Sequence, residues 1–195
     1  MYRDIYERMR APWFGDARVL QFSEEPTLDP SWFRSFEVSV FGARNTLDLQ
    51  AIDRPDGAYD IVMCNNVIEH VADDHSALRE LDRVTSDTGF VFLAFPDPLE
   101  EARTRAWEYP DPNRFGHYRV YGPDVADRFA DALEGRYIVF CQAGDPVTGT
   151  HDCAFLITRN GVLADGVLRL LPGSALLDLG DPDCLRALVP TVSRP

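Results

Sequence analysis

LDLQAIDRPDGAYDIVMCNNVIEHVADDHSALRELDRVTSDTGFVFLAFP, residues 47–96, holds three elements that decide the fold. Within it, YDIVMCNN (59–66) carries the continuous apolar run IVMC. Such a run suits a strand buried on both faces of a parallel sheet. From 73 to 84, Ala77, Leu78, Leu81 and Val84 recur at helical spacing, and Asp73 or Asp74 can cap that helix. Gly89 then breaks the chain before a second apolar strand, FVFLAFP (90–96). Strand, helix and strand in this order make a parallel crossover unit.

The flanks extend the pattern. Residues 1–16 read as a short helix ending near Pro12, and ARVLQF (17–22) as a buried strand. SWFRSF reads as a short helical segment, and FEVSVF (36–41) alternates like a strand. Residues 97–118 show no periodicity and read as one long loop. PDVADRFADAL (123–133) is an amphipathic helix with Pro123 in its first turn. YIVFCQA (137–143) and CAFLITR (153–159) are strands with no helix between them, so they pair antiparallel. Residues 160–195 form a C-terminal tail of short apolar pieces. The expected fold is α/β: a mostly parallel sheet of the seven-stranded type, its last strand antiparallel, with helices on both faces. Ligands of such a sheet bind outside the carboxyl ends of its strands. The loops after Phe22, Phe41, Asn66 and Pro96 are therefore the ones to search.

The chain of 195 residues is the size of one domain. It has no apolar run of the about 20 residues a spanning helix needs, and its first ten residues are charged where a signal peptide is apolar. A cytoplasmic protein without membrane contact is expected. The net charge of −13 disfavours nucleic acid as a partner. All 19 basic residues are arginine, which removes Schiff-base chemistry and the lysine of common nucleotide hydrolases. Cys64, Cys141, Cys153 and Cys184 are scattered and suit neither a zinc site nor a disulfide framework.

Residues 47–96 resemble the central block of class I S-adenosylmethionine-dependent methyltransferases of the type 11-like kind. The block carries Asp48 ahead of D-G-A-Y-D, the apolar strand, V-I-E-H-V, a helix ending R-V, a Gly turn and an apolar strand. The resemblance extends from about 17 to 159 and implies a Rossmann-like methyltransferase fold with S-adenosylmethionine as cofactor. It places Asp48 against adenine with Leu49 packing nearby; the alternative for Asp48 is a turn aspartate bonding its own backbone. Two positions depart from the pattern. QFSEEP (21–26) has no glycine, with Gln21 at the usual acidic position and Ser23 and Glu25 at glycine positions. Phe22, Glu25 and Pro26 match a variant with F-A-P-E-P there, and Glu24 or Glu25 can face the cofactor's amino group. The second strand ends Phe41-Gly42, where the pattern has an acid for the ribose.

Asn65 and Asn66 end the central strand, where their amides reach cofactor or substrate or else serve a turn. His70 is the candidate general base, with a capping or packing histidine as the alternative. His117, in FGHYRVYG, is expected on the substrate side. The resemblance implies a metal only where a Glu stands three residues before the Glu-His pair. Asn66 stands there, so none is expected. The expected activity is methyl transfer to a small-molecule or glycan-like acceptor. Its rival is a degenerate module that binds a ligand or partner without transfer. A nicotinamide enzyme is disfavoured because G-x-G-x-x-G is absent. The short N-terminal segment leaves the crevice open to a large acceptor or to a second copy in a homodimer.

Overall fold

The computed structural model describes residues 2–43, 45–144 and 151–188, with backbone alone at 143–144 and 151–152. Helix α1 (Arg3–Met9) continues into a π-helical turn, Arg10–Phe14, whose wide ladder takes up Pro12. Strand β1 (Arg18–Phe22) follows, then a 3-10 turn, Pro30–Trp32, and β2 (Ser35–Ser39). The central unit is β3 (Tyr59–Asn65), α2 (Asp74–Val84) and β4 (Thr85–Ala94). The Asp73 side chain caps α2 by accepting from the Ser76 N–H.

The sheet runs β2-β1-β3-β4 and then β8 (His151–Thr158), β7 (Tyr137–Gly144) and the two-residue edge β9 (Ala175–Leu176). The first four strands are mutually parallel, while β8 is antiparallel to both β4 and β7. This is the expected seven-stranded Rossmann-like methyltransferase fold. Strand alternation divides the core cleanly. Leu20, Val62, Val91 and Phe155 point to the face covered by α2 and α3 (Val125–Ala132). Val19, Ile61, Phe92 and Leu156 point to the face covered by α1 and α4 (Gly161–Leu170). All four cysteines are buried.

Four local readings change. Residues 97–118 are not one loop: β5 (Arg105–Asp111) and β6 (His117–Val120) form an antiparallel hairpin. Most of β5 is exposed, so no apolar alternation marked it in the sequence. The second strand lies at 35–39 and not 36–41, which leaves Phe41 beyond its end and 95% exposed. Gly89 lies inside β4 and not before it, and only glycine fits there, since a Cβ would stand 2.2 Å from the Asp60 carbonyl oxygen. The tail contains α4, whose start is fixed by Asn160 accepting from the Val162 and Leu163 N–H groups. Residues 189–195 of that tail lie outside the described residues. Among the described residues, no helix is long and apolar enough to cross a membrane.

Candidate active site

The carboxyl ends of β1, β3 and β4 share one edge of the sheet, set by the register Phe22 to Cys64 and Asn65 to Ala94. Two groups of polar side chains meet there. The first lies between β1, β3 and α1. Gln21 and Asn65 point to the α1 face and are buried. Gln21 Nε2 donates to the Ser23 carbonyl at 2.6 Å, and Asn65 Nδ2 donates to Tyr6 Oη at 2.8 Å. Their oxygens, Gln21 Oε1 and Asn65 Oδ1, are buried and receive nothing. A buried acceptor without a donor carries a desolvation cost of roughly 1–3 kcal/mol. Burial also drives the Tyr6 hydroxyl pKa far up, so it stays protonated.

Ser23 follows with φ of 66°, and Asn66 at the end of β3 has φ of 53°. Both lie in the left-handed region that glycine adopts without cost. Ser23 is therefore held in the conformation that the usual glycine would supply. Its N–H donates to the Ser39 carbonyl, and the Asn66 N–H to the Ala94 carbonyl, so the ladder imposes both conformations.

The second group belongs to the turn after β3 and to the hairpin. Ile68–His70 form a single 3-10 turn. Arg119 of β6 holds that turn from beneath, donating to the carbonyls of Ile68, Val71 and Ala72. Asp74 fixes Arg119 in turn: Arg119 Nε lies 3.3 Å from its carboxylate, which also receives Arg128 and the Tyr121 hydroxyl. This arrangement brings the His70 and His117 rings edge-on, with centroids 4.5 Å apart. Burial, then the neighbouring His70 and Arg114, lowers the His117 pKa and keeps its imidazole neutral. Glu69 beside them is 1% exposed, and burial pushes its carboxyl up to about 7. Its Oε2 has no hydrogen-bond partner. Glu69 and His117 line a cleft of about 480 Å³, together with Arg114, Phe115, Tyr121 and Pro96 among others. Phe115 stands at this cleft with φ of 57° and 90% of its surface exposed.

The structure thus brings His70 and His117 together and places Asn65 with Gln21. Glu25 is nearby: its Oε1 accepts from the Thr27 N–H and hydroxyl, and its Oε2 lies 3.5 Å from Asn65 Nδ2. Asn66 is exposed at the strand end. Phe22 and Leu49 are both buried in the core cluster under α2 and α3, so they present backbone, and not side chains, to the crevice. Asp48 is exposed, and its Oδ1 accepts from the Gln50 N–H and side chain, the turn role. Glu37 is taken up by Arg54, Asn45 and the Tyr59 hydroxyl. Glu69 and Arg119 were not candidates from sequence. Glu69 lay within V-I-E-H-V, but nothing in the string marked its burial.

A family profile described as a methyltransferase domain matches residues 17–133, more than half of the chain. The chain belongs to the methyltransferase-domain family. This methyltransferase-domain chain is 37% identical over 87 residues to malonyl-[acyl-carrier protein] O-methyltransferase of Halorhodospira halophila. That match covers 44% of this chain and 29% of the relative. Among solved structures it is similar to a SAM-dependent methyltransferase from Aquifex aeolicus, with TM-score 0.52 and 15% identity over 80% of this chain and 88% of that one. It is also similar to the methyltransferase CalH in complex with S-adenosylhomocysteine (SAH), with TM-score 0.53 and 16% identity over 80% of this chain and 54% of that one. These likenesses show a shared fold.

S-adenosylmethionine fits the first group chemically. Its α-ammonium is a three-proton donor of the lysine type, and Gln21 Oε1 and Asn65 Oδ1 are acceptors with nothing donated to them. The carboxylate of Glu25 adds the opposite charge beside them.

Proposed function

We propose that this chain transfers a methyl group from S-adenosylmethionine to a small-molecule or sugar-sized acceptor. The observation that carries this reading is the pair of buried, undonated oxygens, Gln21 Oε1 and Asn65 Oδ1, at the carboxyl edge of β1 and β3. They receive the cofactor's ammonium, with Glu25 supplying the countercharge and Asp48 the adenine contact through its free Oδ2. The left-handed Ser23 and Asn66 let the backbone of both loops approach the ligand.

The acceptor occupies the cleft of about 480 Å³, a size typical of small-molecule sites. Its lone pair attacks the sulfonium methyl in line, the new bond to carbon forms as the carbon–sulfur bond breaks, and sulfur leaves as a neutral thioether. Positioning supplies much of the rate. His70, with His117 against its ring, takes the acceptor's proton. Calorimetric titration with S-adenosylhomocysteine tests the cofactor half, with one site per chain expected. Transfer of a labelled methyl group to a panel of hydroxyl and amine acceptors tests the rest. No heat and no thermal shift at millimolar ligand sinks this reading.

A second reading is a module that binds a ligand or partner without transfer. It is favoured by the absence of an acid at the end of β2, where Phe41 is exposed and Glu37 is taken up by Arg54. Binding of S-adenosylhomocysteine without turnover on any acceptor would support it.

A further inference from the structure

We propose that the cleft beside the hairpin selects a flat aromatic carboxylate, with Arg114 pairing the carboxylate and the Phe115 ring serving as a stacking platform. That the bound molecule is the methyl acceptor rests on the transferase reading above; the binding itself does not.

Charge is the first ground. In a chain of net charge −13, the arginines around the hairpin are taken up by the protein's own groups. Arg119 serves three carbonyls and Asp74, and Arg105 is held by Glu101. Arg114, in the cleft lining, differs. Among the described residues its guanidinium makes no hydrogen bond. Its Nε stands 3.9 Å from an Asp111 carboxylate oxygen, and the other oxygen of Asp111 accepts from the Asn113 N–H. The Trp107 ring steadies Arg114 from the side, with the guanidinium carbon 5.2 Å from the ring centroid. A planar fork of donors is thus held at the cleft without acceptors, and such a fork matches a carboxylate bidentately.

The neighbouring titratable groups leave that charge standing. Burial brings the Glu69 carboxyl up to about 7, so near neutrality it carries only part of a negative charge. His117 is kept neutral, by burial first and then by His70 and Arg114. It adds no second cation, and the pairing of an anion falls to Arg114.

Shape is the second ground. Phe115 closes the 3-10 turn Pro112–Arg114 in the left-handed conformation, where glycine or asparagine is usual. The following Gly116 is left-handed too, and its N–H bonds the Asp111 carbonyl. The turn therefore holds a bulky aromatic both strained and 90% exposed, against the two costs that would normally remove it. Its ring centroid lies 6.2 Å from that of His117, at the same cleft. Pro96 and Tyr121 add apolar surface opposite the charge. Ring surface beside one unpaired guanidinium suits an aromatic acid better than a neutral sugar, which has no charge for Arg114 to meet.

The test is calorimetric titration of the full chain with meta-hydroxybenzoate. The comparators are meta-hydroxybenzamide (same ring, no charge), cyclohexanecarboxylate (same charge, no aromatic face), inorganic phosphate and glucose. One hydroxybenzoate per chain is expected, bound roughly tenfold or more tighter than any comparator. Arg114→Met keeps an apolar stem on Trp107 and should erase the preference over the benzamide. Phe115→Leu should erase the preference over cyclohexanecarboxylate. Arg103→Met, on an exposed arginine outside the lining, should change neither ratio. These ratios are taken within each variant, so a general loss of structure does not imitate the result. No hydroxybenzoate binding at millimolar ligand, with S-adenosylhomocysteine still bound, overturns this proposal alone. So does a benzamide preference that survives Arg114→Met, or tighter binding of phosphate or glucose, which would assign the cleft to those chemistries. Selective hydroxybenzoate binding without S-adenosylhomocysteine binding upholds the carboxylate site and overturns the transferase reading.

Discussion

The two halves of the site are built on opposite principles. At the β1/β3 edge, Gln21 and Asn65 are buried and the parallel ladders fix them in register, with Tyr6 of α1 buried against Asn65. Around the Ile68–His70 turn, the geometry comes from a hairpin that, among the described residues, forms a two-stranded sheet of its own and is tied down by Arg119 and Asp74. The rigid half presents neutral amide oxygens to which nothing donates. The tethered half presents an acid near neutrality and two imidazoles, the groups proposed above for proton transfer. A rigid sheet can hold a cofactor, while an acceptor must enter and leave, and a hairpin on few tethers permits that.

The largest effect expected separates the halves by function. His70→Ala should cut turnover by about 10²–10⁴-fold while leaving S-adenosylhomocysteine affinity nearly intact. Single-turnover kinetics beside calorimetry would show this, and equal losses in both would erase the distinction between binding half and chemical half.

The converse variant is Asn65→Ala. It removes the bond to Tyr6 and one of the two undonated acceptors. Cofactor binding should weaken by about 1–3 kcal/mol. The single-turnover rate at saturating cofactor should change little, because the Asn65 side chain bonds Tyr6 and Glu25 and stands apart from the His70–His117 pair. A change in both would mean that the two halves are coupled.

Ser23→Gly probes how rigid the first half is. It relieves a left-handed serine and should raise thermal stability, by about 1 kcal/mol less the added chain entropy of glycine. If stability falls, the ladder bond to Ser39 does not force the strain.

The smallest effect tests the far end of the same strands. The Asp60 carboxyl is held below its ordinary value by hydrogen bonding from Arg18, against some burial. A depressed folded pKa means that this stabilisation is complete above the unfolded value, about 3.9, and is lost as pH falls through the folded one. Arg18→Met should lower the midpoint of thermal unfolding slightly at pH 7. Its gap from the wild type should narrow below about pH 4. A constant gap would assign the loss to packing.

The parallel core was legible because its signal is local. IVMC in β3 is buried on both faces, and Ala77, Leu78, Leu81 and Val84 meet the sheet at helical spacing. The hairpin was not legible, since β5 is exposed and its pairing with β6 is a contact between segments that carry no apolar alternation. Helix α4 was hidden by Gly166 in its middle, although the capping Asn160 was visible. In the candidate site, Asn65 and His70 were singled out because they end or follow a readable strand. Asp48 was ambiguous by nature, since a turn aspartate and a ligand aspartate have the same local sequence.

What the sequence by itself determined, then, is the family block at 47–96 and the parallel centre of the sheet, and with them the edge at which a ligand is expected. Periodicity and strand-end position settle these, because each depends on neighbours within a few residues. Only the tertiary structure decided that Glu69 is buried with its Oε2 unbonded and that His117 stands against His70. Forty-seven positions separate those histidines in the chain (70 to 117). Their meeting depends on Arg119 reaching back to the carbonyls of Ile68, Val71 and Ala72, a long-range bond that no local pattern encodes.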